Sequence, residues 1–343
     1  MIHQRTMGRT GLKLSEICLG TLNFGWKTDE ATSFAILDAY RAADGNFIQA
    51  THYAPGVTLP SASPHASEEL VGLWWRSRDI RREEIFLATR ILARPPPGDK
   101  TALLRTVRQL CEDSMRRLQA SYLDLVVFEW DDTFLPIDAT LEVFDLLVRS
   151  GITRYVGTAN IPVWRVMDAL NRAGNRTLCR MEALQYDYSL LTRTRFEPEA
   201  MELCAEQRLG FFARAPLAGG FLARRRGAGS LLHGSITGDW LSGRYGNYHG
   251  TAAQVAASEV AARHDATTAQ VALAWVLHNP KVTSAIVGAQ SVAQLDDLVR
   301  AGSLRLTSAD LEQLDLATAT EEVRVSSDLP RESGRLAEPL AVG

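Results

Sequence analysis

The sequence has no cysteine pairs. Its four cysteines, Cys18, Cys111, Cys179 and Cys204, are scattered and show no CxxC spacing, which argues against a zinc site or a redox dithiol. Buried, reduced thiols are the expectation instead. No run of about 18 apolar residues occurs, so no transmembrane helix is expected. The opening stretch MIHQRTMGRTGLKLSE is polar and has no apolar core of a secretory signal, and a cytoplasmic location follows as the expectation. Charge of one sign is also lacking: 37 Lys and Arg stand against 40 Asp and Glu, a net charge of -3. That balance gives no electrostatic case for a nucleic-acid or membrane partner. A small-molecule substrate is the remaining expectation, and nothing in the composition bears on oligomeric state.

What is present is an alternation. Short apolar runs read as buried strands at 16–20, 45–50, 84–90, 123–130, 153–160, 180–185, 209–216 and 283–289, and their continuous apolarity fits parallel strands covered on both faces. Helix-period segments lie between them, at 29–43, 66–77, 99–119, 138–149, 163–172, 198–207, 252–278, 292–300 and 308–317. In the first, Ala31, Phe34, Ala35, Leu37, Ala39 and Tyr40 are expected to share the buried face; in 99–119, Leu103, Leu104, Val107, Leu110 and Cys111 form the apolar stripe. The long 252–278 segment breaks near Asp265, with Thr267 or Thr268 as the cap of its second half. Eight strand–helix units with right-handed crossovers most simply close into a (β/α)8 TIM barrel. An open doubly wound sheet is disfavoured because no GxGxxG follows the first strand. RTMGRTGLKLS reads as an N-terminal β-hairpin covering one end of the barrel. The expected organisation is one barrel domain over 1–320, with 321–343 as a tail or a loop laid over it.

In such a barrel, chemistry sits at the C-terminal strand ends and the loops after them. At those places the chain carries RTMGRTGLKLSEICLGTLNFG at its start, ASEELVG (66–72), GITRYVGTAN (151–160), ALQYDYSLL (183–191), APLAGGFL (215–222) and AQVALAWVLHNPKVTSAIVGAQSVAQLDDL (269–298). Taken in order and at these distances, the set resembles the aldo-keto reductase superfamily over residues 5 to 317. The resemblance implies a barrel that binds NADP(H) across its mouth and reduces carbonyls with a Tyr acid, a Lys–Asp pair and a His. Such a reaction needs a positioned acid, because negative charge develops on the carbonyl oxygen as hydride reaches the carbon.

Against that pattern the catalytic positions are altered. Arg90 stands at the Lys position and Glu129 at the His position. In NFIQATHYAPG, Gln49 stands at the Asp position, and the Tyr position is either Ala54, counting forward from the strand, or Tyr53, if one residue is deleted before it. Arg90 is a fixed cation that does not exchange a proton near neutral pH, and it pairs either with the site phenol or with Glu129 or Asp131. Glu129 at a partly desolvated strand end could serve as an acid, a role an ion pair with Arg90 would remove. His52 is a further acid–base candidate. Trp26, Tyr53, Trp130 and Trp240 offer an aromatic wall for a flat substrate.

The cofactor side is better kept. The resemblance assigns Asn160 and Gln185 to the nicotinamide carboxamide, with Ala159 in place of a Ser, and sets Arg214 beside the nicotinamide. Leu217 and Gly219, in PLAGGF, approach the pyrophosphate. Gly288 and Gln294 are family-like, whereas Gln290 replaces an Arg that grips the 2′-phosphate and Leu298 replaces an Asn that meets the adenine. Weakened NADP(H) binding, or acceptance of NAD(H), is the consequence, unless Arg224, Arg225 and Arg226 supply the charge. Three readings remain: an atypical NAD(P)H-dependent reductase of a carbonyl or conjugated enone in specialised metabolism, a redox-neutral lyase, dehydratase, isomerase or cyclase on the same barrel, or a catalytically silent cofactor-binding subunit.

Overall fold

In the computed structural model, residues 1–51, 63, 65–92, 99–129, 136–195, 197, 199–223, 241 and 243–319 are described. The expectations placed on His52, Tyr53, Ala54, Trp130, Asp131, Arg224, Arg225, Arg226, Trp240 and the 321–343 tail lie outside them.

Strands β1 (Gln4–Thr6) and β2 (Lys13–Ser15) form the antiparallel N-terminal hairpin. Gly8 begins its turn at φ 47°, and a Cβ there would lie 2.1 Å from the Arg208 carbonyl oxygen, so the close approach requires glycine. Eight parallel strands then close a barrel: β3 (Ile17–Gly20), β4 (Phe47–Thr51), β5 (Phe86–Ile91), β6 (Leu123–Glu129), β7 (Thr153–Ala159), β8 (Ala183–Asp187), β9 (Gly210–Arg214) and β10 (Ser284–Val287), with β10 pairing back onto β3. All eight expected strands are present, in order. The sixth starts later than the sequence suggests. Glu182 lies just before it, its side chain holding Arg9 of the hairpin turn at 2.8 Å while its backbone still bonds Val156 and Gly210 on the two sides.

Alternation along each strand divides the core in two. Cys18, Phe47, Phe86, Ala88, Leu125, Val127, Ala183 and Phe212 fill the barrel interior, and Met7 and Leu14 of the hairpin join them from below. The intervening residues, such as Leu19, Ile48, Leu87, Val126, Leu184 and Phe211, pack outward under the helices.

The covering helices are α1 (Glu30–Ala42), α2 (Ala66–Ser77), α3 (Lys100–Arg117), α4 (Ile137–Arg149), α5 (Val163–Asn175), α6 (Glu199–Gln207), α7 (Tyr248–Arg263), α8 (Thr268–His278), α9 (Val292–Arg300) and α10 (Ser308–Thr318). The buried face of α1 departs from expectation: Ser33, Ile36, Leu37 and Tyr40 are buried, while Ala31 and Ala35 are exposed. Exposing a methyl group is cheap, and Ser33 is satisfied inside by the Thr28 hydroxyl at 2.9 Å. In α3 the stripe holds, with Leu103, Val107 and Cys111 buried. Asp265 adopts φ 47° at the break between α7 and α8, and Thr267, not Thr268, caps α8 in a reciprocal box with Gln270. None of the helices among the described residues is long and apolar enough to cross a membrane.

One fastening outside the barrel has a pH signature. Asp310 is buried at the start of α10, accepts from Thr307, pairs with Arg263 at 2.7 Å and lies in hydrogen-bond contact with His264 Nε2 at 2.7 Å. These partners outweigh the cost of burial and hold its carboxyl well below the usual range. A depressed folded-state pKa gives stability that is present above about pH 4, the unfolded value, and is lost as pH falls. Asp310→Asn is therefore expected to be less stable at neutral pH and to lose less on acidification below about pH 4. Urea unfolding at a series of pH values reads the difference, and parallel acid limbs would contradict it.

Candidate active site

The inward alternation that fills the barrel continues to the strand ends. It brings Gln49 and Thr51 of β4, Arg90 of β5, Glu129 of β6, Gln185 and Asp187 of β8, and Arg214 of β9 to the C-terminal mouth. Register joins them: Thr51 pairs with Arg90, Glu129 with Ala159, Ala159 with Gln185, and Asp187 with Arg214. Arg90 is aimed by its neighbour. The Thr89 hydroxyl faces outward and donates to Glu68 of α2 at 2.9 Å, and the adjoining side chain falls on the opposite face.

The strand ends at the mouth carry two ion pairs among the described residues. Arg90 Nη1 lies 3.5 Å from Glu129 Oε2, and Arg214 Nε donates to Asp187 Oδ1 at 2.5 Å. Burial, and then the Arg214 charge, lower the Arg90 pKa, opposed by Glu129 and Asp187. The guanidinium still keeps its charge, because its ordinary value is far above neutral. Of the two sequence alternatives for Arg90, the contact with Glu129 is thus present. An ion-paired Glu129 accepts and does not donate, so a proton-donor role would require the pair to open.

Gln49 does not meet Arg90 in a charged pair. It is buried against Gln185, whose Nε2 donates to Gln49 Oε1 at 2.7 Å, with the reciprocal contact at 3.5 Å. Two amides satisfy each other across the barrel where a carboxylate would need a cation.

Asn160 follows β7 in a left-handed conformation, φ 57°, and its backbone N–H donates to the Gln185 carbonyl at 3.1 Å. Two carboxamide side chains are thereby set at adjoining strand ends. After β9 the chain turns through Ala215 (φ 49°), Ala218 (φ 49°), Gly219 (φ 68°) and Gly220 (φ 96°), with Leu217 half-buried between them. After β10, Gly288 is exposed, and a Cβ on it would meet Asn23 Nδ2 at 3.4 Å. Ser291 caps α9 by accepting from Gln294 N at 3.2 Å, and the Gln294 side chain accepts from Gln290 N at 2.8 Å. Leu298 is buried. Trp26 is half-buried after β3, with Lys27 Nζ 4.4 Å from its ring.

The structure thus gathers Gln49, Arg90, Glu129, Asn160, Gln185 and Arg214 at one end, with Leu217, Gly219, Gly288, Gln290 and Gln294 on the two loops that follow the paired strands β9 and β10. Asp187 is the residue missed by sequence reasoning. Its signal was available, since two residues beyond an inward Gln185 the side chain returns to the same face.

A profile of the Aldo/keto reductase family matches residues 16–318. The chain belongs to the aldo/keto reductase family. Among similar family members, the uncharacterized oxidoreductase YrpG of Bacillus subtilis (strain 168) is 34% identical over 319 residues, covering 90% of this chain and 94% of its own. Protein tas of Escherichia coli (strain K12) is 30% identical over 342 residues, covering 89% and 94%. Norsolorinic acid reductase B of Dothistroma septosporum is 26% identical over 347 residues, covering 92% and 81%. An oxidoreductase of this family is the coarse identity that fold and kinship give.

Proposed function

We propose that this aldo/keto reductase is an NAD(P)H-dependent reductase of a carbonyl or conjugated enone, working without the family's usual set of charged partners. The observation that carries the reading is the pair of carboxamides, Asn160 and Gln185, joined through the Asn160 N–H at adjoining strand ends. A nicotinamide carboxamide needs a donor and an acceptor, and side-chain amides offer both. The Asn160 side chain has no hydrogen-bond partner among the described residues. The fit is poorer at the other end of a dinucleotide: GAQSVAQ has no cation, and Gln294 is already engaged with Gln290 N. NADP(H) is the family's cofactor, and the lost charge leaves room for NAD(H).

When bound, the reduced nicotinamide supplies a hydride. The chain's residues then have to manage charge and protons. Arg90 contributes positive potential at the mouth, and it moves no proton. Tyr53 is the proposed proton donor, with His52 beside it. Glu129 fixes Arg90. Gln49 orients Gln185 and replaces the role of an Asp by a neutral contact. Trp26 and Trp130 would wall a flat substrate, and the kinship with norsolorinic acid reductase B supports a specialised metabolite as its class. Calorimetric titration with NADPH and NADH, followed by absorbance assays against ketones and enones, tests the reading. Binding of at least one cofactor is expected, and failure of both to bind would sink it.

A redox-neutral reaction is the second reading. What favours it is that Gln49, Arg90 and Glu129 all depart from the reductive set while making a consistent new arrangement. Turnover with no nicotinamide added would support it. A silent cofactor-binding subunit is the third, expected to work unchanged as Tyr53→Phe and Glu129→Gln.

A further inference from the structure

Several half-buried arginines of this chain are held by more than one hydrogen bond or ion pair. The Arg5 side chain is 24% exposed, and it donates to Glu16 and to the carbonyls of Asn279, Val282 and Leu277. Arg82 donates to the Tyr122 and Ile85 carbonyls and pairs with Asp124. Arg117 donates to Glu68 and Ser114. Arg90 is as covered as Arg5, at 24% exposure, yet its guanidinium makes no hydrogen bond among the described residues, and Glu129 touches it only at 3.5 Å. Nothing about a barrel interior requires an arginine there, and its nitrogens are not among the enclosed, unpartnered polar atoms of the described residues, so they stay open towards the mouth, where a ligand can take them.

We propose that Arg90 is the receptor for a carboxylate carried by the substrate, so that the mouth accepts a monoanionic oxo or enone acid. The planar guanidinium fork matches a carboxylate in two parallel hydrogen bonds. The surroundings set the charge of the ligand. Glu129 and Asp187 face the same mouth, so a dianion such as phosphate is repelled where a monoanion is held. Arg214 is already committed to Asp187, which leaves Arg90 as the available fork among the described strand-end residues. Burial and the nearby Arg214 charge both make the bare guanidinium less comfortable, and an incoming carboxylate relieves both.

The proposal rests on the mouth being the substrate site, but its first test needs neither cofactor nor turnover. Acetate and benzoate are titrated calorimetrically into the wild-type protein beside acetamide, benzamide and inorganic phosphate. At least one carboxylate is expected to bind about tenfold or more tightly than its amide, and more tightly than phosphate, with affinity falling as salt is raised. Arg90→Gln is expected to lose that preference and Arg90→Lys to keep part of it, with circular dichroism melts checking that both fold. Equal binding of acid and amide, stronger binding of phosphate, or an unchanged preference in Arg90→Gln would overturn the proposal. A second arm uses NADPH with para-formylbenzoate and its methyl ester. The acid is expected to have the higher kcat/KM in the wild type, and the ratio to collapse towards one in Arg90→Gln. Carboxylate binding without any cofactor binding would leave this inference standing while removing the reductase reading, and cofactor binding without carboxylate preference would do the reverse.

Discussion

Glu68→Ala is expected to lower the unfolding free energy by about 3–5 kcal/mol, the range for stripping one partner from a buried ion pair. Glu68 is fully buried on α2. One oxygen accepts from Thr89 at 2.9 Å and the other from Arg117 Nε at 2.6 Å. Arg117 is itself only 16% exposed, so removing the carboxylate strands a cation and a hydroxyl between helix and barrel. Glu68→Gln keeps an acceptor for Thr89 and loses less. Urea unfolding with an unchanged denaturant slope would read this as lost stability and not as a change in the unfolded chain. A loss below about 1 kcal/mol would show that Arg117 finds another partner or reaches water. Because Thr89 precedes Arg90 on β5, the same variant is expected to disturb the aim of the mouth guanidinium.

Gln185→Leu should produce two separable effects. Gln49 is 4% exposed, and the substitution leaves its amide without the 2.7 Å contact, at a cost of about 1–3 kcal/mol. If Gln185 also holds a nicotinamide carboxamide, the affinity for NAD(P)H falls about tenfold or more, since one hydrogen bond of about 1.4 kcal/mol corresponds to that factor. The variant's melting curve and its cofactor titration report on the two effects independently. Lost stability with unchanged cofactor affinity would make Gln185 only the structural partner of Gln49. Lost affinity beyond what the fold change explains would support its role at the nicotinamide.

What could be read from the chain alone follows from what each pattern encodes. The eight strands and the α7–α8 break were legible because buried parallel strands require unbroken apolar runs and because Thr267 with Gln270 is a local capping signal. The α1 face was misread because alanines are nearly neutral to exposure, whereas Ser33 is carried inside by a partner, Thr28. At the mouth, the family resemblance singled out Arg90 and Glu129, and which partner Arg90 meets needed three dimensions. That Gln49 finds Gln185, 136 positions away along the chain, is a fact of barrel closure that no local spacing carries. Asp187 was legible as a face, by alternation from Gln185, but its partner Arg214 comes only from the register of β8 with β9.

The hairpin that places Met7 and Leu14 under the barrel has a kinetic consequence. With the floor plugged and the interior filled by Phe47, Phe86 and Phe212, the barrel offers no passage through its hairpin end. If cofactor and substrate both enter by the mouth, as the proposed reductase reading requires, they leave in the reverse of the order in which they came, and the escape rate of the deeper one should fall with the concentration of its companion.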